Sequence, residues 1–84
     1  MSWRIVWTPR ALKDLRKLDR QNQARVVAGL DRLASSGEGD VVQLTDVSPP
    51  EWRLRVGDWR LRFQKNPGAA AMIILRVLPR DKAY

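Results

Sequence analysis

Four arginines alternate with apolar residues in two short runs, Trp52-Arg53-Leu54-Arg55-Val56 and Trp59-Arg60-Leu61-Arg62-Phe63, with Gly57-Asp58 between them. A period of two is the pattern of a half-buried strand, and Gly-Asp between two such strands is a two-residue hairpin signal. With those residues as the turn, Val56 lies opposite Trp59, so Arg55 faces Arg60 and Arg53 faces Arg62 on one side of the sheet. Like charges directly across a strand pair cost about 0.2–1 kcal/mol per pair. The runs offer only Asp58, in the turn, as a compensating carboxylate. The missing counter-charge points to an anionic ligand, because a guanidinium grips phosphate or carboxylate with two hydrogen bonds and stacks on bases. A third run, Ala69 to Leu78, is almost continuously apolar. If it buries Ile73, Leu75 and Val77, then Arg76 and Arg80 point to the arginine face, with Tyr84 just beyond. Such a face suits phosphate binding, base stacking and stabilisation of a pentavalent phosphate transition state.

Composition removes much other chemistry. The chain has neither cysteine nor histidine, which excludes disulfides, thiolate nucleophiles, Cys/His zinc sites, Ser-His-Asp triads and histidine acid/base steps. Its 16 basic and 9 acidic residues give a formal charge of +7, and 44% of its 84 residues are apolar. The first value suggests a polyanionic partner, and the second a sequence that builds a core rather than a basic tail. Residues 1–36 carry eight basic and three acidic side chains, 37–51 four acidic and no basic ones, and 52–84 eight basic and two acidic ones. Eighty-four residues are expected to form one domain, 1–84. No run approaches the roughly 18 apolar residues of a membrane span, and no signal-peptide stretch is present, so the default expectation is a cytoplasmic protein.

The elements that must position these arginines are also legible. Trp3-Arg4-Ile5-Val6-Trp7 reads as a strand, and Thr8-Pro9 as an N-cap followed by proline at the first helical position. Ala11, Leu12, Leu15 and Leu18 line one helical face. After polar Asp19 to Gln23, a second stripe runs through Val26, Val27, Leu30, Leu33 and Ala34 to a C-cap at Gly37. The expected fold is α+β, in the order β-α-α-β-β-β, with two N-terminal helices on one face of a largely antiparallel four-stranded sheet. Trp52 and Trp59 are core candidates by parity, and one of Trp3 and Trp7 is open to face a partner.

Three segments together resemble the RelE branch of the RelE/ParE toxin superfamily: Trp7-Thr8-Pro9-Arg10-Ala11-Leu12-Lys13-Asp14-Leu15-Arg16-Lys17-Leu18, Trp52-Arg53-Leu54-Arg55-Val56-Gly57-Asp58-Trp59-Arg60-Leu61, and the ending Arg80-Asp81-Lys82-Ala83-Tyr84. The resemblance spans nearly the whole chain and implies a RelE-like fold. It also implies a toxin that enters the ribosomal A site and cleaves mRNA without a metal or cofactor. The 2′-hydroxyl of the scissile nucleotide attacks the adjacent phosphate and leaves a 2′,3′-cyclic phosphate. By position, Arg60 and Arg80 match the arginines that hold the scissile phosphate, and Tyr84 the terminal tyrosine that stacks on the base; these three are the candidate catalytic residues. Arg53, Arg55, Arg62, Lys65 and Lys82 are the candidate substrate-binding residues. The implied partners are the ribosome, mRNA and an acidic antitoxin that carries the complex to operator DNA; no membrane is involved.

Two departures bear on mechanism. Relatives often place lysines where Arg53 and Arg55 stand, and histidine where Pro79 precedes Arg80. Arginine keeps its proton at ordinary pH and is a poor acid or base, which leaves Tyr84, Lys82, Lys65, Asp81, ribosomal groups or water to move protons. The chain ends at Tyr84, so inhibition is expected from an antitoxin segment covering the arginine face rather than from displacement of a C-terminal helix. Two other functions stay open: a ParE-like inhibitor of DNA gyrase, and a degenerate toxin acting as an antitoxin-binding corepressor.

Overall fold

A computed structural model describes residues 2–82. Strand β1 (Arg4–Trp7) leads into helices α1 (Pro9–Arg16) and α2 (Arg20–Ser36), followed by β2 (Asp40–Gln43), β3 (Trp52–Val56), β4 (Trp59–Asn66) and β5 (Ala71–Pro79). Short 3₁₀ turns, Pro67–Ala69 and Arg80–Lys82, follow β4 and β5. The five strands lie in the order β1-β5-β4-β3-β2, with β1 parallel to β5 and every other pair antiparallel. The α+β class and the helix pair agree with expectation, but the sheet has five strands rather than four. The added strand, β2, has only Val41 and Val42 as apolar residues and holds its place at the edge by pairing with β3, Asp40 opposite Arg55 and Val42 opposite Arg53. A four-residue edge strand needs no alternating pattern of its own when a longer neighbour supplies the ladder.

The helices begin where their caps place them. Thr8 Oγ1 accepts from the Ala11 N–H at 3.2 Å and donates to the Ile74 carbonyl at 2.7 Å, so the residue that starts α1 also fastens it to β5. Asp19 caps α2 by accepting from the Asn22 N–H at 2.8 Å. Beyond the helix, Gly37 donates to the Leu33 carbonyl at 3.0 Å. Ala11 and Leu18 from the first helical stretch and Val26, Leu30 and Ala34 from α2 pack on Leu54, Leu61, Phe63, Met72, Ile74 and Val77 of the sheet. Each large apolar side chain fully withdrawn there contributes about 1.5–3 kcal/mol. All four tryptophans are half-buried and lie against this core, so neither Trp3 nor Trp7 is set aside from it.

Strand β5 departs from simple alternation. Arg62 is opposite Arg76 but Phe63 is opposite Ile74, which leaves Leu75 as an extra residue in a β-bulge. The bulge shifts parity by one. Val77 is buried as expected, whereas Met72 and Ile74 occupy the core in place of Ile73 and Leu75, which are half-buried. Arg76 remains in register with Arg62, as the arginine face requires.

Candidate functional site

The β3–β4 hairpin has the register read from its turn: Val56 opposite Trp59, Arg55 opposite Arg60 and Arg53 opposite Arg62. Leu54, Leu61 and Phe63 face the helices, so alternation turns the four arginines to the other face. Gly57 has φ +55°, a value that glycine reaches at little cost and that the tight turn requires. Arg60, only 7% exposed, folds back on this turn, and its Nη1 donates to the carbonyls of Gly57 at 2.9 Å and Trp59 at 3.1 Å. Arg80 begins the 3₁₀ turn after β5, and its backbone N–H donates to the Asp58 carbonyl at 2.9 Å. One turn therefore gathers both arginines.

The electrostatics of Arg60 report the same convergence. Burial lowers its pKa from the ordinary arginine value, the charges of Arg55, Arg53 and Arg80 lower it further in that order, and Asp58 opposes them. Arginine still stays protonated at working pH, so the shift expresses crowding of positive charge rather than a usable proton. The charges of Arg53, Arg55 and Arg80 thus all bear on Arg60.

The other two arginines of the face are engaged differently. Arg62 donates from Nε at 3.0 Å and Nη2 at 2.7 Å to Oε1 of Glu51. Arg76 donates from Nε at 2.7 Å to Oδ2 of Asp14 and from Nη2 at 3.3 Å to Oδ1. Glu51 is the carboxylate the hairpin runs lacked, and Asp14 supplies one to β5. Glu51 immediately precedes β3 and shares the parity of Arg53 and Arg55, while Asp14 stands on α1 three residues after Ala11 and four before Leu18. The signal at Glu51 is its alternation with Arg53 and Arg55, and that at Asp14 is a charge on the core stripe of a helix, although neither signal names the arginine it meets. Asp14 is 6% exposed and also accepts from the Val77 N–H at 3.0 Å.

The remaining candidates separate. Lys82 and Asp81 are exposed in the 3₁₀ turn beside Arg80. Lys65 has the parity of Leu61 and Phe63, toward the helices, and its Nζ lies 4.5 Å from the ring centre of Trp52, which itself stacks on Phe63. Alternation from Leu61 and Phe63 thus puts Lys65, a candidate substrate-binding residue, on the side of the sheet opposite Arg60 and Arg62. Tyr84 lies outside the described residues. Arg53, Arg55, Arg60 and Arg80, with Lys82 nearby, form a concentration of positive charge whose chemistry suits an oxyanion.

Comparison with known proteins gives consistent results. The sequence model of the ParE toxin of the type II toxin–antitoxin system parDE matches residues 5–84. Compared directly with curated protein sequences, the chain has no significant match. Among solved structures it is similar to the archaeal RelE–RelB complex from Pyrococcus horikoshii OT3, with a TM-score of 0.80 and 25% identity over 99% of this chain and 100% of that one. It is similar also to the toxin–antitoxin complex RelBE2 from Mycobacterium tuberculosis, with a TM-score of 0.78 and 24% identity over 95% and 93% of the two chains. A mutant of the E. coli toxin RelE in the free state gives a TM-score of 0.65 at 20% identity, over 99% of this chain and 87% of that one. With a five-stranded RelE-like fold, a convergent arginine cluster and a family match over all but its first four residues, the chain belongs to the RelE/ParE superfamily of toxins from type II toxin–antitoxin systems.

Proposed function

We propose that this toxin is a ribosome-dependent mRNA endoribonuclease, a metal-independent enzyme that inhibits translation and is neutralised by an acidic antitoxin. The observation that carries the reading is Arg60, which is buried beside Arg53, Arg55 and Arg80 and held by carbonyl oxygens rather than by a carboxylate. A guanidinium kept positive among other arginines is what a phosphodiester would complete. In the proposed reaction the substrate's 2′-oxygen attacks phosphorus, the bond from phosphorus to the 5′-oxygen breaks, and a 2′,3′-cyclic phosphate and a 5′-hydroxyl result. Arg60 and Arg80 hold the non-bridging oxygens as their charge grows, a contribution of about 3–4 kcal/mol for a well-aimed donor. Arg53 and Arg55 bind the flanking backbone, Arg62 does so to the extent that it leaves Glu51, Lys82 extends the charge, and Tyr84 orients the base. The proton leaves the 2′-hydroxyl and reaches the 5′-oxygen through Tyr84, Lys82, Asp81, ribosomal groups or water.

Expression with and without the antitoxin, followed by mapping of 5′ ends in translated messages, tests this. New ends inside coding regions support it, and intact messages at toxic doses refute it. Arg60→Ala and Arg80→Ala should each abolish toxicity without unfolding the protein. The antitoxin is expected to cover the arginine face and to bring the complex to its operator.

The description of the matching family as a ParE toxin supports a second reading, inhibition of DNA gyrase. A supercoiling assay separates the two, because inhibited gyrase with uncut RNA favours the second.

A further inference from the structure

Arg62 and Arg76 use the same edge of the guanidinium, Nε and Nη2, on Glu51 and Asp14. Arg60 is held the other way round, with Nη1 on the carbonyls of Gly57 and Trp59 and with Nε and Nη2 left without a partner among the described residues. That open edge is the one suited to side-on, two-point contact with an oxyanion. A carboxylate would fix the guanidinium but cancel its charge, whereas carbonyl oxygens fix it and leave the charge intact. Fixing is needed, because Arg55, Arg53 and Arg80 all act on Arg60 and would drive an untethered side chain toward water. The adjacent carbonyl, Asp58 O, ties the backbone of Arg80 to the same turn.

We propose that the Gly57-Asp58 turn is the positioning element of the clamp: its two carbonyls hold Arg60 and Arg80 so that the Nε/Nη2 edge of Arg60 meets the scissile phosphate uncompensated. The inference rests on the endoribonuclease reading and names the feature of the fold that sets the geometry of that site. It makes a specific prediction about turn type. Gly57 has a positive φ and Asp58 does not, the sign pattern of a type II′ turn, in which glycine takes the first central position. An Asn-Gly pair selects type I′ instead. The hairpin and its register survive, but the peptide plane between the two central residues reverses, and with it the residue-57 carbonyl that Arg60 uses.

The test is single-turnover cleavage of a message on ribosomes by the full chain, comparing wild type, Asp58→Ser, and the double variant Gly57→Asn with Asp58→Gly, each with and without Arg60→Ala. Asp58→Ser removes the carboxylate while keeping a glycine-first turn, and its rate should stay within about threefold of wild type. The double variant should keep its melting temperature and its half-saturating concentration yet lose about 30-fold or more in cleavage rate, the split expected of lost transition-state contacts. Adding Arg60→Ala should cost the double variant almost nothing further, because the two changes remove one interaction. Gly57→Ala, which strains the same φ without favouring a different turn, should show a smaller loss of the same kind. A double variant that cleaves at the Asp58→Ser rate, or whose loss adds in full to that of Arg60→Ala, overturns the role of the turn and leaves the endoribonuclease reading standing. Wild-type protein that leaves ribosome-bound messages intact overturns both.

Discussion

Replacing Asp14 by alanine should be among the most damaging single changes away from the arginine cluster. β1 ends at Trp7, opposite Ile74, so the edge of β5 beyond that point has no strand beside it. Helix α1 covers the gap, with Thr8 on the Ile74 carbonyl and Asp14 on the Val77 N–H and the Arg76 guanidinium. The change leaves the Val77 N–H without its acceptor, at about 1–3 kcal/mol. The ion pair adds less, since the Arg76 side chain is 31% exposed and can rehydrate; about 1 kcal/mol is appropriate. The sum, about 2–4 kcal/mol, is a large share of the few to 13 kcal/mol typical of a domain this size and corresponds to a fall in Tm of about 10–30 °C. Asp14→Asn, which keeps an acceptor for Val77, should lose roughly half as much. The pH dependence provides a second check. Burial on its own raises the Asp14 pKa, but the hydrogen bonds from Arg76 and Val77 and the charges of Arg76 and Arg10 outweigh it and leave the carboxyl below its ordinary value. The hydrogen bond that Arg76 donates to Asp14 correspondingly raises the Arg76 pKa. Because the folded-state pKa is depressed, this stability is fully present above the ordinary aspartate pKa of about 4 and is lost as pH falls through the lower folded value. Urea denaturation between neutral pH and pH 3 measures both effects. An Asp14→Ala protein within about 0.5 kcal/mol of wild type, or an Asp14→Asn protein with an unchanged acid limb, would refute this account.

Three further outcomes are expected. Gly29→Ala should destabilise the protein despite the better helix propensity of alanine, because the new Cβ would lie 2.8 Å from Cγ2 of Val56; overpacking of about 1–3 kcal/mol exceeds a gain of about 1, as thermal melts would record. Glu51→Gln frees Arg62 for phosphate, so RNA binding should steepen in its salt dependence by about 0.7 in log–log slope, with an unchanged slope counting against Arg62 as a binding residue. Lys65→Ala should leave cleavage unaltered and lower stability by about 0.5–1 kcal/mol through its contact with Trp52, whereas a large loss of cleavage would restore Lys65 to the site.

The parts of the fold that could be read in advance are those encoded over a few neighbouring residues. Thr8-Pro9, the stripes of α1 and α2, and the Gly57-Asp58 turn each carry their signal within about two turns of helix or one hairpin. The hairpin arginines followed because a two-residue turn leaves no freedom of register. Strand β2 could not be found this way, since its pairing with β3 comes from the neighbour rather than from its own four residues. The bulge at Leu75 was equally hidden, because a nearly continuous apolar run reads the same in either parity.

The sequence by itself therefore determined that an arginine face exists, which residues form it, and that histidine and cysteine chemistry play no part in its work. Which of those arginines remain uncompensated was decided only in the tertiary structure. Asp14 and Arg76 are 62 positions apart, and nothing local to either reveals that the helix closes the sheet edge at that point. Glu51 meets Arg62 across a hairpin, and Arg60 meets neutral carbonyls instead of a carboxylate. Charge is a property of composition, but compensation depends on distance, and distances between separate elements are set by packing.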